Sequence, residues 1–249
     1  MNPIIESLYE TKHAENAEGE MMAIEPASIL REDGEMLYSL VRKKSDSRSL
    51  EMGMAFGLAS LFMCQGHIDN GGGHHTAIDP YQDHWFKQCG TLNVAKLGFE
   101  DSFRFFQERT HEVLPRLFQD GERFNLVFLD GNHRFEYIML DFFYASRMLE
   151  VGGFLMLHDP WMPSTRKATS FILRNLSDEF SLYEPALANP PSFVGGIFEF
   201  VRDVIKNPYD MGAAQLFSKI RFNNYIVFEK IAENDIYHCD IHWDAYQAF

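Results

Sequence analysis

The sequence predicts an α/β protein whose parallel sheet is covered by helices on both faces. Two observations lead there. From about residue 50 onward, short apolar runs alternate with stretches of helical spacing, the rhythm of βα units. The clearest run, LVFL at 126–129, stops abruptly on Asp130-Gly131-Asn132-His133 before a second apolar pattern begins. In an open α/β sheet, ligands sit beyond the carboxyl ends of the strands, so a buried strand that ends on a carboxylate, a glycine and an imidazole marks such a place.

The elements read as follows. Residues 1 to about 25 form a loosely held acidic arm. Between 25 and 44 the spacing of Ile29, Leu30, Met36, Leu37, Leu40 and Val41 suits one or two amphipathic helices. EMGMAFGLASLFM is a glycine-punctuated turn followed by an apolar helix, and HIDNGGGHH is a flexible loop by composition. A short strand at 75–78 ends on Asp79-Pro80. A polar helix at about 81–97, a strand near 103–107 and a helix in THEVLPRLF follow. After the 126–129 strand come a helix at 136–149, Gly152-Gly153 and the strand FLMLHD. Beyond Asp159 the rhythm loosens: 164–175 reads as a helix, 180–184 as a strand, 186–222 as an insertion, and NNYIVFEKI as a late strand.

Length and composition bound the function. A chain of 249 residues is near the top of what one core organises, so one domain with extensions is expected. Hydrophobic residues make up 46% and charged residues 23%, the profile of a soluble globular protein. A net charge of −14 with no basic stripe argues against nucleic acid and against an anionic membrane surface as partners. It leaves room for a small ligand held by local dipoles. No apolar run approaches the length of a bilayer span, and the acidic N-terminus lacks the order of a secretion signal. Cys64, Cys89 and Cys239 are scattered and odd in number, as in reduced thiols, so a cytoplasmic location is expected.

Three strand ends carry the chemistry. The first holds Glu51 with the Gly53 and Gly57 turn, where glycine lets a ligand approach and the next helix presents free N–H groups. Its spacing is G-x-x-x-G, not the G-x-G-x-x-G of dinucleotide sites, and such a turn can be purely structural. The second is Asp79, placed to accept the hydroxyls of a ribose; the alternative is a helix cap. The third is Asp130 with His133 three residues on, where a buried carboxylate needs a partner; the alternative is a capping Asp and a polar-loop His. Together the three ends are harder to dismiss than any one.

With those residues in view, the sequence resembles a class I S-adenosylmethionine-dependent methyltransferase over 50–159 plus the late strand. EMGMAFG resembles the family's first motif, which implies Glu51, Gly53, Met54 and Gly57 beside the methionine part of the cofactor. AIDPY resembles the second, implying Asp79 on the ribose, and ERTHEVLPRL implies Thr110 and His111 by the adenine. LDGNHRFEYIMLDF with EVGGFLMLHD resembles the small-molecule O-methyltransferases, including catechol and macrocin-type sugar enzymes. That likeness implies Asp130 at the cofactor and at a divalent metal, shared with His158 and Asp159, and His133 as general base. The implied fold is a Rossmann-like, mostly parallel seven-stranded sheet with an antiparallel late strand. The implied boundaries are 1–45 for the arm and N-terminal helices, 46–232 for the methyltransferase domain and 233–249 for a tail. The chain departs from the family at Ala55, where a glycine is common, at Ala59 before Ser60, and at His158-Asp159-Pro160, where two oxygen ligands are common. Mg²⁺ prefers oxygen ligands, and a histidine shifts preference toward Mn²⁺, Fe²⁺ or Zn²⁺ unless His158 only orients Asp159.

The expected reaction is methylation of a hydroxyl on a small-molecule acceptor, helped by His133 as base or by a metal on Asp130 and Asp159. Trp161, Met162 and Arg166 are reasonable pocket walls, and the N-terminal helices and the insertion offer surface for a homodimer. His74-His75 and the His238-Cys239-Asp240-Ile241-His242 cluster read as unlinked to the site. The competing enzyme reading, a nicotinamide oxidoreductase, lacks G-x-G-x-x-G and a Tyr-x-x-x-Lys pair. A non-catalytic cofactor-binding protein would have no use for Asp130, His133 and Asp159 together.

Overall fold

The structure, a computed structural model, describes residues 2–186 and 223–233. Its elements in order are α1 (Pro3–Thr11), β1 (His13–Glu15), β2 (Met21–Ala23), α2 (Arg31–Val41), β3 (Ser47–Met52), α3 (Leu58–Asp69), β4 (Gly73–Ile78) and α4 (Cys89–Leu97). They continue with β5 (Phe103–Phe106), α5 (Thr110–Gln119), β6 (Phe124–Leu129), α6 (Phe135–Met148), β7 (Leu149–His158), α7 (Pro163–Asn175), β8 (Phe180–Leu182) and β9 (Tyr225–Lys230). Among the described residues, seven strands form one sheet in the order β5-β4-β3-β6-β7-β9-β8. The first five run parallel, and β9 lies antiparallel between β7 and β8. This is the expected doubly wound sheet with its antiparallel late strand.

The run 126–129 of β6 and the run 154–157 of β7 are apolar because successive side chains feed two different cores. Leu126 and Phe128 pack with α1, α2 and α3 on one face, beside Phe62, Leu37 and Ile5. Val127 and Leu129 pack with α5, α6 and α7 on the other, beside Leu114, Phe142 and Ile172. Lys230 is fully buried yet satisfied: its Nζ donates to the carbonyls of Ser146 and Leu149 and pairs with Glu233 at 2.9, 2.7 and 2.8 Å.

The order of strands puts the reversal between β3 and β6, whose carboxyl ends lie side by side. That crevice is where the site sits.

Three expectations need correction. The acidic arm is folded. Asn2 caps α1 by accepting from Ile4 N–H at 3.0 Å, Ile5 and Leu8 are buried, and Glu6 takes both guanidinium nitrogens of Arg31 at 2.9 and 2.8 Å. Its acidic residues sit outside while Ile5 and Leu8, three apart, face inward. HIDNGGGHH is a loop only over its middle: His67 belongs to α3 and Gly73, His74 and His75 to β4. The polar helix begins late, at Cys89, because the stretch before it turns back onto the β3–α3 loop. There Gln82 donates to the Ala55 carbonyl at 2.6 Å and accepts from Gly90 N–H at 3.2 Å. The insertion at 187–222 and the His238 cluster lie outside the described residues.

Candidate active site

The site is built from residues that follow the last strand bonds. Gly53 N–H still donates to the Ile78 carbonyl, Asp79 N–H to Phe106, Asp130 N–H to Met52, and Asp159 N–H to Asn224, all at 2.9–3.0 Å. The backbone thus keeps its ladder while the side chains at 79, 130 and 159 are released at the sheet's edge. Gly53 holds φ +89, and a Cβ there would stand 2.3 Å from the Asp130 carbonyl oxygen. Only glycine lets the β3 and β6 ends meet this closely.

A cavity of about 560 Å³ opens over these ends. Its wall includes Glu51, Gly53, Met54, Asp79, Thr110, Asp130, His133, His158 and Asp159, so nine of the expected residues share one space. Gly57 stands apart, holding φ +81 at the start of α3, where a Cβ would meet Gly90 at 2.9 Å. His111 is also off the wall; its ring tilts against Tyr137, 5.8 Å away. The sequence reading omitted Arg109, Tyr137, the Tyr81–Trp85 pair stacked at 4.1 Å, and residues 26–29, which roof the cavity from the N-terminal segment. Arg109 and Tyr81 adjoin the residues singled out; the 26–29 roof carries no local signal.

Asp79 clamps the first loop. One oxygen accepts from the N–H groups of Met54 and Ala55 at 3.0 and 2.8 Å, and the other from Tyr81 N–H at 2.7 Å. The expected helix cap is instead a turn cap, since α4 begins only at Cys89, and the same carboxylate lines the cavity. Ala55 holds φ +46, a left-handed conformation that glycine would adopt without strain.

At the other end of the cavity four groups converge. His133 Nε2 lies 3.1 Å from Asp159 Oδ2 and 3.6 Å from Asp130 Oδ1. His158 Nδ1 lies 3.0 Å from Asp130 Oδ1 and 3.6 Å from Asp159 Oδ2. On its far side, His158 Nε2 lies 3.1 Å from Asp33 Oδ2, a buried carboxylate of α2. Burial works against a charge on His158, yet Asp130, Asp159 and Asp33 hold its pKa up at about 12, so it stands as an imidazolium. Burial likewise opposes the Asp159 charge, but His133 and His158 hold that carboxyl well below its ordinary range. The hydrogen bond to Asp159 raises His133 above an ordinary histidine. Asp159 itself sits at φ +52 and accepts from Trp161 Nε1–H at 2.8 Å.

Asp130, His133 and Asp159 each offer a ligand atom within 4.8 Å of the others. Two carboxylates and an imidazole suit a divalent cation. His158 is otherwise engaged: Asp33 holds one nitrogen, and the other faces the carboxylates as part of an ion pair.

Residues 50–160 match a family model described as a methyltransferase domain. This stretch is similar to a methyltransferase domain. Solved O-methyltransferases share the fold across nearly the whole chain. One is the Streptomyces achromogenes enzyme TomG of tomaymycin synthesis, in complex with SAM; it is 15% identical, with a TM-score of 0.55 over 93% of this chain and 91% of that one. Another is an O-methyltransferase of Bacillus cereus in complex with SAH, 12% identical, with a TM-score of 0.57 over 93% and 92%. A cofactor-bound Mycobacterium tuberculosis protein, Rv0187, is 14% identical, with a TM-score of 0.55 over 94% and 92%. No curated protein matches the sequence. The matched stretch holds the carboxyl ends of β3, β4, β5, β6 and β7, which build the cavity.

Proposed function

We propose that this chain transfers a methyl group from S-adenosylmethionine to a hydroxyl oxygen of a small-molecule acceptor. The observation that carries the reading is one cavity with two chemically different ends. The Glu51–Gly53–Asp79 end offers buried acceptors and a glycine-opened loop to an adenosyl amino acid. The Asp130–His133–Asp159 end offers a proton acceptor beside fixed charge. The cofactor supplies an electrophilic methyl on a sulfonium, and the protein's task is to align an oxygen with it, so positioning carries most of the rate.

His133 is the base in this reading. Asp159 accepts from its Nε2–H across 3.1 Å, which leaves Nδ1 to take the acceptor's proton, and Asp159 then steadies the imidazolium that forms. The His158 imidazolium helps keep Asp159 ionised beside it. A divalent cation would be held by Asp130 and Asp159, with His133 as the third group in reach, and would lower the acceptor hydroxyl's pKa as a Lewis acid. The neutral ring has one free lone pair, so it serves either the acceptor's proton or the ion. His133→Gln separates the two: unchanged Mn²⁺ affinity with turnover lowered at least a hundredfold is the base outcome, and lost Mn²⁺ affinity makes His133 a ligand.

Titration calorimetry with S-adenosylhomocysteine tests the cofactor reading directly. Micromolar binding that weakens in Asp79→Ala is expected. No heat at any ligand concentration up to the millimolar range would sink the reading. With a surface this acidic, the acceptor is neither a nucleic acid nor a membrane lipid headgroup in this proposal; the chain acts in the cytoplasm, and its N-terminal helices offer a homodimer face.

A further inference from the structure

Behind the cavity wall runs a chain of polar groups that methyl transfer alone does not require. Glu51 is completely buried, and its Oε2 accepts from Ser60 Oγ–H and from His75 Nε2–H, the latter at 3.0 Å. His75 Nδ1 accepts from Ser49 Oγ–H at 2.8 Å, and Ser49 Oγ in turn accepts from His67 Nε2–H at 2.8 Å. His67 Nδ1 lies 3.3 Å from Ser47 Oγ. His67, His75, Ser49 and Glu51 are all 0% exposed. The arrangement is built into the fold. Parallel register sets Ser49 opposite His75, and Gly73, at φ +134, leaves the room that a Cβ would take from His67 Nδ1, 2.3 Å away. Placing one proton per link turns every donor toward Glu51 and leaves both histidines neutral.

The carboxyl that ends the chain is incomplete. Glu51 lines the cavity, and its Oε1 is buried with no partner. Among the described residues, no lysine or arginine pairs with it. The groups that face it are Ser60 and Cys64 from α3, His75 from β4, and the carboxylates of Asp79 and Asp130 at neighbouring strand ends. A buried carboxylate without a cation, and with two like charges nearby, holds its proton.

We propose that Glu51 carries a proton in the empty protein and gives it up when the ammonium of an amino-acid ligand docks on Oε1, with the Ser47–His67–Ser49–His75 chain as the positioning device that keeps Oε2 supplied with donors. The inference rests on the cofactor reading above and adds proton coupling to it. The step balances: the neutral carboxyl and the ligand's ammonium become a carboxylate–ammonium pair, and one proton passes to the buffer. Burial, reinforced by Asp130 and Asp79, raises Glu51 to about 8, which agrees with a proton held at neutral pH.

The test is calorimetric titration of S-adenosylhomocysteine in buffers of different ionisation enthalpy. The ligand's α-amine is charged at about pH 7, so there the proposal expects close to one proton released per ligand. Affinity should rise roughly tenfold per pH unit between about pH 5.5 and 7. Glu51→Gln should abolish the release. 5′-Methylthioadenosine, which lacks the amino-acid part, should bind without release. His75→Phe, which removes the N–H from Oε2, should move the rise in affinity to higher pH. Tight binding with no proton released, or equal release with methylthioadenosine or with Glu51→Gln, overturns the inference and leaves the cofactor reading standing. Absence of binding by wild-type protein overturns both.

Discussion

Asp33 is the residue on which α2 and the Asp130–His158–Asp159 cluster depend together, and replacing it gives a quantitative test of the site's construction. Its Oδ2 accepts from Leu30 N–H at 3.0 Å, at the start of α2, and holds His158 Nε2 at 3.1 Å. Asp33→Ala removes both. Loss of the helix-end acceptor costs about 1 kcal/mol. Stripping one partner from a buried charge pair costs about 3–5 kcal/mol when nothing replaces it. Here Asp130 and Asp159 still face His158 Nδ1. The pair term therefore falls toward about 2 kcal/mol, and the total toward about 3 kcal/mol. Asp33→Asn keeps an acceptor for Leu30 but not the charge, so about 1–2 kcal/mol is expected. Urea unfolding followed by circular dichroism measures both. NMR titration adds a second reading: with one carboxylate gone, His158 should titrate lower than in the wild type. Stability within about 0.5 kcal/mol of wild type for both variants would refute the reasoning, because it would mean that Asp33 and His158 do not share a buried bond.

Further outcomes follow from other residues. Gly53→Ala must place a Cβ 2.3 Å from the Asp130 carbonyl at φ +89, so a loss of at least about 2 kcal/mol and of S-adenosylhomocysteine binding is expected in paired unfolding and binding measurements. Burial raises Asp141 to about 7, so the stability attached to its proton is fully present below about pH 4 and fades as pH rises through 7. Melting curves of Asp141→Asn across that window should be flatter than wild type; parallel curves would count against the buried acid. Burial lowers His67 and His75 to about 3, so unfolded chains bind protons first and stability drains away as pH falls from about 6.5 toward 3. Replacing His67 by Gln should blunt this acid limb, read as denaturant midpoints at successive pH values.

The Asp130–His133–Asp159 end was open to a sequence reading because its parts are local or marked. Asp130 and His133 are three residues apart at the end of an apolar run, and Asp159 closes another such run, so strand-end logic finds all three. Glu51, Gly53 and Asp79 are found the same way. His133 is read from the sequence as a base alone, whereas it also stands with Asp130 and Asp159 in a group that could hold a cation. His158 is read as a metal ligand or as orienting Asp159; its nitrogens lie between Asp33 and the two strand-end carboxylates, and nothing in its neighbourhood along the chain announces Asp33, 125 residues away.

The amino-acid order by itself determined what depends on near neighbours: alternating βα elements, buried apolar strands, the carboxylates at their ends, and the glycine that must hold a positive φ. Those features follow from backbone sterics and from period-two burial, which act within a few residues. Tertiary structure decided the rest. Packing of α1 and α2 against the sheet turned an acidic arm into a folded layer and carried Asp33 to His158. Strand register set Ser49 against His75 and made two histidines, unremarkable in sequence, into a buried line ending at Glu51. Such contacts join residues whose separation along the chain carries no pattern, and only the closing of the core brings them within a hydrogen bond's reach.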